Sequence, residues 1–329
     1  MKLIKESDII ENMSDRKILL SGVKPTGRPH IGNFFGAMKR FVELQDVYES
    51  YIFIADLHAI TTVQNKEELM GNSINVILDY LAIGLDPKKV IIYKQSDVPQ
   101  VTELGWIFNC LTTVPYLMRA HAYKDAVANG KEPNVGLFNY PLLMAADILI
   151  QDADVVPVGQ DQKQHVEIAR DTAEKFNRIF GETFKLPESL ILKNVATVSG
   201  LDGRKMSKSY GNTISLFATD DEIEKSVMSI VTDSSGKRPE NVYAIHALFK
   251  DKEFLDNLYE ENKGKYKILK ETLIDDLQDF IRPMREKRQQ LEKDKKAVFE
   301  ILREGGKVAR EKVEKKMEVV REKVGLKLS

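Results

Sequence analysis

Four short runs of β-branched and aromatic residues, separated by stretches of helical periodicity, constrain this chain more than any other feature. They are KILLSG (Lys17–Gly22), YIFIAD (Tyr51–Asp56), KVIIYKQ (Lys89–Gln95) and DVVPVG (Asp154–Gly159). Each reads as a buried strand. Amphipathic segments such as FFGAMKRFVELQ and KEELMGNSINVILDYLAIG lie between them. Strands joined through helices imply right-handed crossovers and a doubly wound parallel sheet, an α/β fold. Ligands of such sheets bind beyond the carboxyl ends of the strands, where strand order reverses.

From about Thr219 the strand-like runs stop and charge rises. Apolar residues recur at Leu273, Ile274, Leu277, Ile281 and Met284, and again at Val313, Met317, Val320 and Val324, the three- and four-residue spacing of helices. The Gly305-Gly306 pair is expected to separate the last two helices. The predicted organisation is therefore an α/β domain over 1–218 and an α-helical domain over 219–329. The run REKRQQLEKDKK could serve as a nucleic-acid face or as a solvated face laced with i,i+4 ion pairs, and the second reading is the simpler.

Composition narrows the classes. The 49 Lys and Arg nearly cancel the 50 Asp and Glu, so a nucleic acid would have to meet a local basic patch. Cys110 is the only cysteine, which excludes an intrachain disulfide and a cysteine-based metal site. No apolar run reaches the length of a membrane span, and the first residues lack a signal-peptide core, so a cytoplasmic address is expected.

Two stretches carry phosphate chemistry. GVKPTGRPHIGN follows the first strand and opens a helix, placing free N–H groups and a helix dipole at one point. Gly27 and Gly32 allow close backbone approach, and His30 and Asn33 add polar side chains. A plain helix entry, with Asn33 or a neighbour as N-cap, is the alternative. GLDGRKMSKSYGN sets Lys205 and Lys208 among glycines and hydroxyl residues, as a polyphosphate loop or an exposed basic loop. Asp147, inside the apolar PLLMAADILI, needs a donor, because burying an unpaired carboxylate costs several kcal/mol; a neighbouring Arg or backbone N–H could supply it. His58 is either a pocket residue or a satisfied core histidine. His121, His165 and His246 show no ligand spacing, so no metal site is expected. Trp106 and Cys110 read as core or as subunit interface.

PHIGN and KMSKS together resemble the two signatures of class I aminoacyl-tRNA synthetases. IADLHAIT, YPLLMAADIL and VPVGQDQKQHVEIARD are similar to the bacterial tryptophanyl-tRNA synthetase family in particular, and the likeness runs from about Leu19 through Asp233. The resemblance implies a Rossmann-like catalytic domain, a helical anticodon-binding domain and a homodimer. It implies ATP with Mg²⁺, L-tryptophan and tRNA(Trp) as ligands, and no DNA. Thr26, His30, Gly32 and Asn33 would hold ATP at the helix mouth, and Lys205, Met206, Ser207 and Lys208 would close over its phosphates. Gly159, Asp161 and Gln162 would line the crevice. Asp147 would accept the indole N–H, within walls formed by Gly22, His58, Tyr140, Met144, Ile148, Val156 and Val158, with Gln162 shared. His30, Lys124, Lys205 and Lys208 are the implied catalytic group. Lys24 stands where the family often has glutamine and receives no role.

The implied chemistry is two-step. Tryptophan's carboxylate attacks the α-phosphorus of ATP, expelling pyrophosphate, and the adenylate then esterifies tRNA. A tyrosyl-tRNA synthetase, a small-molecule nucleotidyltransferase and a non-catalytic RNA-binding relative are the alternatives.

Overall fold

The computed structural model describes residues 16–120, 123–124, 128, 130, 132–159, 162–191, 198–232 and 238–327. Strand β1 (Ile18–Val23) leads through a glycine turn into helix α1 (Ile31–Asn33). A π-helical turn over Phe34–Met38 and helix α2 (Lys39–Leu44) continue the same path. Then follow β2 (Glu49–Ile54), α3 (Lys66–Ala82), β3 (Val90–Lys94), α4 (Gln100–Leu111), α5 (Val135–Ile150), β4 (Val155–Val158), α6 (Lys163–Phe180) and β5 (Glu188–Ile191). The helical remainder comprises α7 (Asp220–Met228), α8 (Glu240–His246), α9 (Lys252–Glu261), α10 (Tyr266–Lys293) and α11 (Lys295–Lys323).

The five strands are parallel in the order β3-β2-β1-β4-β5, so the order reverses between β1 and β4. The doubly wound α/β sheet expected from the sequence is present. Alternate residues serve two cores. Leu19, Ile52, Ile54 and Ile92 pack on one face with α3 and α10, while Leu20, Phe53, Ile91 and Tyr93 pack on the other with α4, α5 and α6. β1 meets β4 only at Leu19↔Val155. Beyond that pair Pro157 has no N–H to offer a ladder, so nothing zips the carboxyl ends together and a crevice opens between them. Strand β5, ESLI, is partly exposed and too polar to stand out as a buried run.

Two expectations are corrected and a third is narrowed. Gly305-Gly306 does not separate two helices, because α11 runs straight through it and the break falls at Asp294. A Cβ on Gly305 would lie 2.0 Å from the carbonyl oxygen of Ile92 in β3, so glycine here lets a helix touch a strand backbone. Through that contact α11 buries Ala309, Val313, Met317 and Val320 in the core that holds α4, α5 and α6. Arg321 pairs with Glu103, and Lys316 with Asp152.

The run REKRQQLEKDKK is not wholly solvated. Arg288 is buried, donating from Nε to Asp79 on α3 at 2.6 Å and from a terminal nitrogen to Asn75. Trp106 is not core, being 70% exposed on α4, and Cys110 is exposed as well. Among the described residues no helix is long and apolar enough to cross a membrane.

Candidate active site

Two adjoining cavities open at the reversal between β1 and β4. The first, about 570 Å³, is lined by Gly22, His58, Tyr140, Met144, Asp147, Ile148, Val156, Val158, Gly159 and Gln162, among others. The second, about 750 Å³, is lined by Thr26, His30, Gly32, Asn33, Gly159, Lys205, Met206, Ser207 and Lys208. Every residue expected at the amino-acid pocket thus lines one cavity. Those expected around the phosphates line the other, save for three. Gln162 faces the first cavity, Asp161 lies outside the described residues, and Lys124 is exposed and lines neither cavity. Gly159 and Lys24 belong to both walls.

The walls of the first cavity are chiefly apolar, and Asp147 is the carboxylate within them. α5 carries it to a 4% exposed position. Burial raises its pKa, and the hydrogen bonds it receives oppose that rise. Its donors are neither an arginine nor a backbone N–H. His58 Nε2 donates to one oxygen at 2.9 Å, and the Gln95 amide donates to both, at 2.9 and 2.8 Å. Gln95 Oε1 in turn accepts the backbone N–H of His58. A carboxylate offers roughly four acceptor positions, so three contacts leave one. His58 is therefore neither a free pocket group nor an isolated core histidine, because it lines the cavity and positions the carboxylate. Tyr140 hydrogen-bonds to buried His165 at 2.5 Å, which places His165 behind the wall.

Gln95 was not singled out in the sequence. Its signal was the amide ending the apolar run KVIIYKQ, at the carboxyl end of a strand where sheet ligands bind.

At the second cavity, His30 is the N-cap of α1. Its Nδ1 accepts from the Asn33 N–H at 3.3 Å, while Asn33 Oδ1 accepts from the His30 N–H at 3.0 Å. The helix-entry reading thus holds for the backbone, and this capping box fixes both side chains at the cavity edge. Burial, aided by the Lys208 ammonium, lowers the His30 pKa to about 4, so the ring is neutral at pH 7.

The KMSKS segment docks against this turn. The Leu216 N–H donates to the Pro29 carbonyl, the Ile31 N–H to the Ile214 carbonyl, and Lys208 Nζ to the Thr26 carbonyl at 2.7 Å. Buried Asn212 holds the segment from within, accepting from the Ser207 N–H and donating to Asp202 and to the Lys205 carbonyl. Asp79 also lines this cavity. Burial raises its pKa to about 6 even with Arg288 attached. Among the described residues no cluster of three or more His, Cys, Asp or Glu is arranged to hold a metal ion.

The arrangement is an apolar pocket with one fixed acceptor, opening onto a cavity rich in ammonium groups and N–H donors. It can hold an aromatic amine beside a polyphosphate. The family model for class I tRNA synthetases (W and Y) matches residues 12–303. The tryptophan–tRNA ligase of Fusobacterium nucleatum subsp. nucleatum is 51% identical over 92% of this chain and 97% of its own length. That of Rhodopirellula baltica is 44% identical over 94% and 99%. A solved structure of tryptophanyl-tRNA synthetase from Campylobacter jejuni, complexed with ADP and tryptophan, superposes with a TM-score of 0.88 at 43% identity, covering 94% of this chain and 99% of that one.

Proposed function

We propose, because this chain belongs to the class I tRNA synthetases of the W and Y group and within them to the tryptophan–tRNA ligases, that it activates L-tryptophan with ATP and esterifies tRNA(Trp). The carrying observation is Asp147, a buried acceptor held in an apolar pocket with one position left. The indole N–H can only donate, and it would complete that carboxylate. A site built around such a bond discriminates by about 10⁴–10⁵ against a ligand that cannot make it, which is how phenylalanine would be refused.

In the first step tryptophan's carboxylate oxygen attacks the α-phosphorus of ATP. A P–O bond to the adenylate forms, the bond to the β-phosphate oxygen breaks, and pyrophosphate leaves with that electron pair. The nucleophile is already ionised at neutral pH, so no general base is needed. Catalysis then rests on alignment and on neutralising the leaving charge. Lys205, Ser207 and Lys208 line the phosphate cavity and are assigned that task. His30, neutral and fixed by its cap, serves as a hydrogen-bonding rather than a charged group. Asp79 lines this cavity but is engaged by Arg288, so Mg²⁺ would arrive on the phosphates and water rather than in a protein cage.

In the second step a ribose hydroxyl of the terminal adenosine of tRNA attacks the carbonyl carbon of the adenylate. The ester bond forms, the bond from that carbon to the phosphate oxygen breaks and AMP leaves with the electron pair, with anticodon contacts assigned to the helical region. The exposed Trp106 and Ile60, which line one groove, support a homodimer across that face. The test is amino-acid-dependent ATP–pyrophosphate exchange on the purified protein. Tryptophan should support exchange and tyrosine should not. Exchange driven equally by tyrosine would overturn the substrate assignment.

A further inference from the structure

Lys24 lies just past the carboxyl end of β1, where the two cavities meet, and it lines both of them. The strand ends at Val23, so the chain turns away from the sheet at this residue and the side chain enters the crevice rather than either core. Its surroundings are unusual for a lysine. Among the described residues it makes no ion pair or hydrogen bond, whereas Lys208 across the second cavity is held by the Thr26 carbonyl. It is half-buried, and burial lowers its pKa with no carboxylate to offset the effect. The acidic groups of the two walls are already engaged, Asp147 by His58 and Gln95 and Asp79 by Arg288. A half-buried ammonium without a counter-charge is costly unless an anion completes it.

Resting on the reading above, we propose that Lys24 is a catalytic residue whose ammonium provides the counter-charge where the substrate carboxylate meets the α-phosphate of ATP. The placement follows from the reaction. The indole occupies the apolar cavity and the triphosphate the lysine-lined one, so the reacting carboxylate and α-phosphate can meet only at the shared wall. Both are anions, and their mutual repulsion rises as the oxygen closes on phosphorus. A fixed cation between them relieves that repulsion where the new bond forms, which is the kind of preorganised charge that lowers a barrier. The Lys205 and Lys208 side, by contrast, faces the leaving phosphates. Lys24 therefore acts on the attacking half of the displacement and the KMSKS lysines on the departing half.

The test compares wild type with Lys24→Gln and Lys24→Arg in tryptophan-dependent ATP–pyrophosphate exchange. It is paired with binding of tryptophan and of tryptamine, which keeps the indole and lacks the carboxylate. Lys24→Gln should lower kcat by about 10²-fold, in the range for loss of one preorganised group, and Lys24→Arg should recover part of it. Tryptamine should bind Lys24→Gln no more weakly than wild type, because the indole pocket is untouched. A kcat within two-fold of wild type in Lys24→Gln overturns the proposal. So does an equal weakening of tryptophan and tryptamine, which would mark a structural defect. Absence of tryptophan-dependent exchange in the wild type would instead strike the underlying reading, so the two failures are distinguishable.

Discussion

Replacing Gly305 by alanine sets helix propensity against packing in a way that the contact between α11 and β3 decides. Alanine in the interior of a helix is favoured over glycine by about 0.5–1 kcal/mol, so a free helix would gain. Here the added Cβ would sit 2.0 Å from the Ile92 carbonyl oxygen, 2.8 Å from its carbon and 3.1 Å from its nitrogen. All three are backbone atoms of a strand hydrogen-bonded to β2, so no side chain can swing aside. To restore even a tight contact, helix and strand must separate by about 1 Å. That loosens the fully buried Ala309, Val313 and Met317 farther along the same helix. Overpacking of this kind costs about 1–3 kcal/mol, and loss of contact along the stripe adds to it. The expected net effect of Gly305→Ala is a destabilisation of about 2 kcal/mol, read from urea unfolding followed by circular dichroism. Gly71→Ala is the control, because its Cβ would meet nothing within 4 Å on α3 and propensity alone should act, stabilising by about 0.5–1 kcal/mol. If Gly305→Ala proves as stable as wild type, the glycine is not there for close approach and the reasoning fails.

Asp147→Asn turns one acceptor oxygen into a donor facing the Gln95 amide and His58. Tryptophan affinity by calorimetry should fall about 10²-fold, and an unchanged affinity would remove Asp147 from the pocket chemistry. Lys208→Ala should cut pyrophosphate exchange by about 10²–10³-fold with little change in tryptophan affinity, and equal exchange in the two proteins would discard that role. Arg288→Ala leaves Asp79 buried without its partner and should cost about 3–5 kcal/mol in urea unfolding, while the double change Asp79→Leu/Arg288→Leu recovers most of it; equal losses in both would place the energy elsewhere. The His30 pKa is depressed to about 4 from an ordinary 6.5. The folded state therefore refuses a proton that the unfolded chain accepts, and the associated stability, full above pH 6.5, is lost as pH falls toward 4. His30→Asn, which keeps an N-cap, should show a shallower loss between pH 7.5 and 5, and parallel curves would contradict the assignment.

The sheet was legible because its strands are buried on both faces and therefore stand out as apolar runs. β5 escaped because it is partly exposed and half polar. The cavities were legible through local stretches, since a strand-turn-helix and a lysine loop announce themselves without knowledge of distant contacts. Gln95 was not, because its value comes from a partner on α5 and not from its own neighbours. Asp79 and Arg288 escaped for the same reason, being separated by 209 residues and meaningful only as a pair. The glycine pair misled because glycine in a helix carries two opposite messages, a break or a close approach. Only the strand beside Gly305 tells which applies.

The seating of α11 on the sheet also orders events during synthesis. Arg310 caps the Asp97 carbonyl from 213 residues downstream, so β3 and its neighbours leave the ribosome long before the helix that closes over them. Until then the backbone of β3, the end strand of the sheet, lacks the helix that packs on it at Ile92. The nascent sheet should therefore be the species most prone to stick to other chains or to recruit chaperones, and docking of α11 a late event in folding. A fragment ending near residue 294 would carry every residue named as lining the two cavities and still lack the surface on which its edge strand rests.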